Sequence, residues 1–412
     1  LASAGTTGAT GQPHRLYLAG GAGVDFSLAT HPCSFLREVC LLARPTVAEI
    51  NLSALRHNYR ILRSLLPSPI GILAVVKADG YGHGAVEVSR ALAEEGARMF
   101  GVATVDEGVE IRKAGIRNPI VVLGGVDEPQ AEEAHANGLS AALFEEEQIR
   151  YLARTAAQRG APFPVHIKLD TGMGRLGFLP ENGRRIIDAV KSRSELAVEG
   201  WMTHLSSADG TGPADREFTV SQLDGFSRGL AAMRDAFGQG VAVHALNSAG
   251  ILFFRQYPFD MVRPGITLYG SLPAEGQGAE LGLLPVMRLV TKIVSLRELP
   301  PGHPVSYSRT YERSESRKIA VVPLGYADGY RRSFSNNASM LVMGRLAPVA
   351  GRVCMDHTML DVTGIPGVRP GTDVVVMGEG ATTADELARI SGTIPYEILT
   401  QVGRRIARRV VG

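Results

Sequence analysis

Apolar residues along the chain fall into short continuous runs, separated by stretches that repeat with helical spacing. The runs lie near 71–77, 99–104, 120–124, 139–144, 164–170, 198–205, 241–246 and 261–266. A strand covered on both faces needs no polar alternation, so runs of this length predict buried parallel strands. Between them, segments such as Ala85 to Glu95 and Glu145 to Arg159 place apolar residues on one helical face. Eight strands alternating with helices over about 200 residues predict an α/β fold, a (β/α)8 TIM-type barrel rather than an open doubly wound sheet. No GxGxxG follows the first run, which argues against a dinucleotide fold.

Upstream of the first run, Arg44 to Ile50 alternates in part and predicts a strand with no barrel partner, a candidate to pair with whatever follows the barrel. Ser53 is then the expected cap of a helix with apolar positions Leu55, Tyr59, Leu62 and Leu66. After about 275 the rhythm changes. Val286 to Leu296, Lys318 to Leu324, Ser339 to Val342, Leu346 to Val353 and Asp373 to Met377 read as short strands between Pro and Gly turns. The division expected is a barrel over 44–274, with strand 44–51 a candidate to pair with the second domain, and a C-terminal mainly-β domain over 275–412. Thr383 to Leu387 opens a helix, and Arg404, Arg405, Arg408 and Arg409 sit at the spacing of a solvated helix face. Residues 1–43, rich in Gly, Ala, Ser and Thr without a sustained period, read as a leader or as translated upstream sequence, poorly ordered.

A length of 412 residues suits two domains, and a net charge of +2 gives no field for nucleic acid or an anionic membrane. No apolar run approaches the ~18 residues of a membrane span. Cys33, Cys40 and Cys354 form neither a disulfide framework nor a CxxC metal pair, so the expected setting is a reducing one, the cytoplasm, with no metal.

Chemistry gathers where the predicted strands end. The first run ends in Lys77 and breaks into Ala78-Asp79-Gly80-Tyr81-Gly82-His83-Gly84. A lysine at that position is either an ordinary loop lysine or a partly desolvated one, whose neutral amine is the form that makes a Schiff base. Reading the later ends in order gives Lys168 and Arg175, His204, Asn247 and Ser248, then Arg263-Pro264-Gly265-Ile266. In such barrels a phosphate site forms at the loops after strands 7 and 8, where the Ser248 hydroxyl and the N–H groups of Gly265 and Ile266 are fit to hold a dianion. A Schiff-base lysine after strand 1 and a phosphate cradle after strands 7 and 8 match the needs of pyridoxal 5'-phosphate.

Six motifs carry a family resemblance: Val76 to Gly84, Lys168 to Arg175, Val262 to Ile266, Val305-Ser306-Tyr307, Gly325 to Gly329 and Gly351 to Asp356. In that order, from about 44 to 411, the chain resembles the alanine racemases, fold-type III pyridoxal-phosphate enzymes. The resemblance implies a head-to-tail homodimer with shared active sites. Lys77 is then the cofactor lysine and the base on one face of the substrate α-carbon, and Tyr307 of the partner subunit is the base on the other. Inversion needs a base on each face. A tyrosine phenol ordinarily ionises near ~10, so cationic neighbours are required; His204 and Arg263 are the implied chain behind it.

By the same resemblance Arg263 meets the pyridine nitrogen, and an arginine cannot accept a proton there. Tyr81 and Tyr396 contact the phosphate, and Tyr307 and Tyr396 narrow the pocket to a methyl side chain. Arg175 steadies the substrate carboxylate or the Tyr307 hydroxyl. Lys168 is either carbamylated, as in many members, or an ordinary salt-bridging lysine. Tyr326, Met355 and Asp356 are access and carboxylate-contact residues from the partner. Cys354 reads as a small buried residue, and His83 and His166 as structural histidines. The implied substrate is L- or D-alanine, and the implied role is D-alanine supply for peptidoglycan. A non-catalytic pyridoxal-phosphate carrier lacks the second domain and Tyr307. A basic amino-acid decarboxylase has a carboxylate where this chain has Arg263. A racemase of another small amino acid, such as serine, or of a larger one differs in pocket width.

Overall fold

The computed structural model describes residues 44–257, 259–274 and 276–412; the expected leader, 1–43, lies outside them. The chain opens with β1 (Val47–Asn51) and a helix over Leu52–Ser64. That helix is capped by Asn51 rather than Ser53: the Asn51 side chain accepts the Ala54 N–H at 3.0 Å, so the strand hands directly into the helix.

The closed barrel is built from β2 (Gly71–Val75), β3 (Met99–Val102), β4 (Ile120–Val122), β5 (Leu139–Leu143), β6 (Phe163–Lys168), β7 (Leu196–Met202), β8 (Ala242–Asn247) and β9 (Met261–Arg263). All neighbours are parallel, and β9 closes on β2 through Gly71 and Ile72. Every residue of β2, β3, β4 and β5 is buried, which is why these strands read as unbroken apolar runs. The α/β TIM-type barrel expected from periodicity is the fold observed.

Beyond it come β10 (Met287–Lys292), β11 (Ser295–Leu299), β12 (Arg317–Val322), β13 (Ser339–Val342), β14 (Arg345–Pro348), β15 (Thr358–Asp361), β16 (Asp373–Met377) and β17 (Ala407–Val411). They form a six-stranded sheet ordered β14-β13-β16-β10-β1-β17 and a three-stranded sheet β11-β12-β15. In the first, β1 runs antiparallel to β10 and parallel to β17. A capping box between Thr383 and Glu386 starts the helix Ala384–Ser391.

Three local expectations fail here. The run Val286 to Leu296 splits between two sheets at Ile293 and Val294, where β10 gives way to β11. Only the first three residues of the run Leu346 to Val353 lie in a strand, β14 (Arg345–Pro348), because the chain then turns across to bridge Val349 to Leu360. The arginine-rich tail is not a helix face. Residues Ala407–Val411 pair one for one with β1, Arg409 meets Glu49, and Arg408 turns inward onto the carbonyls of Gly82, Val402, Gly403 and Ile406. Tertiary pairing overrides the local spacing.

Candidate functional site

Lys77 stands at the carboxyl end of β2, just after Val75 and Val76. The four residues that follow all adopt left-handed backbone angles, with φ of 53° at Ala78, 54° at Asp79, 60° at Gly80 and 54° at Tyr81. Left-handed conformation costs a non-glycine residue roughly 1–2 kcal/mol, so three such residues together need external ties. Asp79 Oδ1 accepts the Ala85 N–H at 2.8 Å, Glu107 Oε1 accepts the Ala78 N–H at 2.7 Å, and Arg408 Nε donates to Gly82 O at 3.0 Å. Gly82, at φ 82°, lies so close to Leu399 O that a Cβ there would come within 2.5 Å of it.

Lys77 faces a cavity of about 450 Å³ at the barrel mouth. Its floor comes from the ends of five strands: Lys77 and Tyr81 after β2, Lys168 and Arg175 after β6, His204 after β7, Asn247 and Ser248 after β8, and Arg263, Gly265 and Ile266 at and after β9. Tyr396 enters from the helix Pro395–Thr400. These eleven residues, named from sequence, are brought together. Burial lowers the Lys77 amine, and Arg175 adds to the effect. Burial, then Arg175 and Arg263, bring Lys168 down to about 8. Both amines therefore shift toward the neutral, nucleophilic form.

On the other side of the cavity, Ser248 Oγ accepts the Gly265 N–H at 3.0 Å. Ile266 opens the single 3-10 turn Ile266–Tyr269, so its N–H has no acceptor within that turn. The Tyr81 hydroxyl occupies the space that a Cβ at Gly265 would fill, and its ring stacks on Tyr269 at 4.8 Å. Burial raises the phenols of Tyr81 and Tyr396, the latter to about 12, so both keep their protons as donors.

Arg263 is the centre of the polar interior. It is 3% exposed and donates to the carbonyls of Thr203 at 2.6 Å, His244 at 2.7 Å and Ala245 at 3.0 Å. Burial lowers it to about 9, which leaves it cationic at neutral pH. Nη1 also reaches His244 Nδ1 at 3.0 Å, and Nη2, whose two hydrogens serve three acceptors, shares one of them with His204 Nδ1 at 3.2 Å. A guanidinium only donates, so both ring nitrogens accept. Neutral His244 therefore carries its proton on Nε2 and donates to His166 Nδ1 at 2.8 Å.

Burial pulls His83 to about 4 and His166 to about 3, and holds His204 and His244 well below 6.5. An unfolded chain takes up protons below about pH 6.5 that these native rings refuse, and stability rises with pH wherever the unfolded state binds more protons. The histidines alone thus make the melting temperature fall from about pH 7 to about pH 5, at roughly 1.4 kcal/mol per ring and pH unit. Thermal melts across that range test this, and a melting temperature that rises on acidification contradicts it.

Four residues named from sequence lie elsewhere: Tyr307, Tyr326, Met355 and Asp356 do not line the Lys77 cavity of their own chain. Tyr307 is 65% exposed on a segment where Ser306, Ser308 and Arg309 all have positive φ. The Ser306 hydroxyl donates to Arg352 O at 2.6 Å and ties that segment down. Tyr307 borders a separate hollow of about 650 Å³ together with Arg297, His303, Cys354 and His357. Cys354 is half-buried rather than buried. Tyr326 and Met355 are also exposed, and Asp356 pairs with Arg405 at 2.9 Å. Sequence reasoning missed Ala103, Leu123 and Gly124 at the ends of β3 and β4, and Glu397 and Thr400 beside Tyr396. The first three lie in apolar strand ends that carry no chemical signal. Glu397 was legible only through its helical adjacency to Tyr396.

Two family models match the chain, the alanine racemase N-terminal domain over residues 50–273 and the alanine racemase C-terminal domain over 286–410. The chain belongs to the alanine racemase family. An alanine racemase of Halothermothrix orenii is 43% identical over 370 residues, covering 89% of this chain and 97% of that protein. The solved alanine racemase of Clostridium difficile 630 is 35% identical, with a TM-score of 0.84 over 89% of this chain and 96% of its own. An alanine racemase from Bacillus anthracis, solved with bound L-Ala-P, is 32% identical, with a TM-score of 0.82 over 90% of this chain and 95% of its own. Alanine racemases are isomerases acting on an amino acid, and membership supports alanine racemisation as this enzyme's activity. Among the described residues no helix is long and apolar enough to cross a membrane.

Proposed function

We propose that the enzyme interconverts L- and D-alanine with pyridoxal 5'-phosphate held at Lys77, and that each active site is completed by Tyr307 of the partner subunit in a homodimer. One observation carries the cofactor reading. A lysine whose ammonium form is disfavoured faces, across one cavity, a cradle of Ser248, Gly265, Ile266, Tyr81 and Tyr396 with a cationic arginine beside it. That donor set fits a phosphate dianion and a covalently held aromatic aldehyde. Bound there, pyridoxal phosphate supplies an electron sink that makes the substrate α-proton acidic.

The chain's own groups do the rest. Lys77 takes or returns the α-proton on one face, and the partner's Tyr307 does so on the other. Arg263 is the group proposed for the ring nitrogen; donating to three carbonyls and cationic at neutral pH, it has no proton to gain. Charge developing on the substrate then stays near Cα, where a proton must return for racemisation. His204, which accepts from Arg263 through Nδ1, keeps its Nε2 proton for a hydroxyl, the role proposed toward Tyr307. Asn247 is proposed among the cofactor contacts.

Arg175 is proposed for the substrate carboxylate. Lys168, whose amine is brought down to about 8 with Asp170 as the carboxylate acting on it, is proposed to carry a carbamate facing Arg175. Tyr307, Tyr326 and Met355 support the dimer because each is a large exposed side chain outside its own chain's cavity. With Asp356 they are proposed to face the partner's site. The L-Ala-P bound by the Bacillus anthracis relative supports alanine as substrate. The product D-alanine is proposed to serve peptidoglycan synthesis, in the cytoplasm.

The test is D-alanine formation from L-alanine with added pyridoxal phosphate, followed by chiral chromatography. Turnover to a racemic mixture supports the reading. Cofactor binding without turnover overturns the enzyme, and turnover confined to larger amino acids overturns the substrate.

A further inference from the structure

We propose that Glu107 is a positioning residue that fixes the left-handed turn after Lys77 and so sets where the Lys77 amine stands; the proposal rests on Lys77 being the reactive lysine. Glu107 lies in the first turn of the helix Val105–Lys113, which follows β3, the strand beside β2. Its two carboxylate oxygens divide between two strand ends. Oε1 accepts the Ala78 N–H and Oε2 accepts the Ala103 N–H, each at 2.7 Å. Ala78 and Ala103 both line the Lys77 cavity. One side chain therefore clasps the residue after Lys77 to the residue after β3.

The other ties on the turn act further along it. Asp79 holds Ala85, and Arg408 holds Gly82. Among the described residues Glu107 is the side chain that holds the end next to Lys77. It is itself held, since its N–H donates to the capping Thr104 hydroxyl at 3.4 Å. A neutral amide at this position keeps one oxygen acceptor and turns a donor toward the other backbone N–H, leaving that N–H opposed. Where four consecutive residues are left-handed, loss of that clasp frees the turn at the point that aims the lysine.

Charge points the same way. The groups facing Lys77 are Lys168 and Arg175 from the end of β6, His204 after β7, Arg263 on β9, and Tyr396 and Glu397 from the helix Pro395–Thr400. Of the carboxylates, Glu397 is engaged by Arg331 at 2.6 Å. Glu107 is the carboxylate that acts on the Lys77 amine, raising it against burial and against Arg175 and Arg263.

Two variants separate the roles: Glu107→Gln removes the charge at nearly the same size, and Glu107→Asp keeps the charge but is too short to reach both N–H groups. In the full chain without cofactor, the pH dependence of Lys77 acylation by acetic anhydride, read by mass spectrometry, gives the amine midpoint without any turnover. In the holoenzyme, kcat, KM and the pH profile of kcat/KM are measured. Glu107→Gln is expected to move the labelling midpoint down and to lower kcat by 10-fold to 100-fold, on the order expected for a small misplacement of a reacting group. Glu107→Asp is expected to keep the midpoint and lose kcat. Wild-type kcat in both variants, or a lowered melting temperature with unchanged midpoint and profile, overturns the proposal. An inactive wild-type chain would instead sink the racemase reading, and the labelling arm would still decide the placement of Lys77.

Discussion

Replacing Lys77 with alanine is expected to lower racemisation by at least about 10³-fold while the protein stays folded and still binds pyridoxal phosphate. The fold survives because burial disfavours the Lys77 ammonium, so its removal takes away a desolvated group rather than a stabilising one. Cofactor binding is expected to survive because the proposed cradle of Ser248, Gly265, Ile266, Tyr81 and Tyr396 lies across the cavity and is untouched. Affinity is expected to fall with loss of the proposed covalent link. Added methylamine is expected to restore part of the rate by supplying the missing amine. Chiral assay, cofactor titration and a melting curve on one preparation check all three parts. Wild-type turnover in Lys77→Ala would remove the lysine from the chemistry.

Tyr307→Phe is expected to cost about 10²- to 10⁴-fold in racemisation, the range for a lost general acid or base. The change deletes one hydroxyl from a residue that is 65% exposed in its own chain, so it leaves that chain's packing alone. What distinguishes this variant is its asymmetry. Lys77 still serves one face of Cα, so the enantiomer it deprotonates continues to exchange its α-proton with solvent deuterium. The other enantiomer stops exchanging. Equal loss of exchange from both would place Tyr307 outside proton transfer.

Most of the barrel was legible in the chain because a strand buried on both faces, such as Gly71–Val75, can only be an apolar run. The polar residues that end those runs were legible for the same reason. Lys77, Lys168 and Arg263 stand out where everything upstream must be apolar, and the barrel gathers them without further instruction. The β17 strand was not legible. Arg404, Arg405, Arg408 and Arg409 keep helical spacing, and only the partner strand β1, more than 350 residues away in sequence, draws the last two into a strand, offering Glu49 to Arg409. The Asn51 cap was hidden because a strand and a helix share that residue. Glu107 gave no signal at all. Its meaning comes from a left-handed turn in one loop and a strand end in another, and neither is written in the spacing of residues around it.

The central claim, one site built from two subunits, is tested most directly by mixing. Lys77→Ala and Tyr307→Phe chains are each nearly inactive alone; they are unfolded together, refolded and assayed for D-alanine. In a heterodimer, one site pairs both defects, and the other pairs the intact Lys77 of one subunit with the intact Tyr307 of its partner. The account predicts that activity returns on mixing, to a substantial fraction of wild type set by the share of heterodimers. A mixture no more active than its two components would show that Lys77 and Tyr307 act within one chain or not together, and would contradict it.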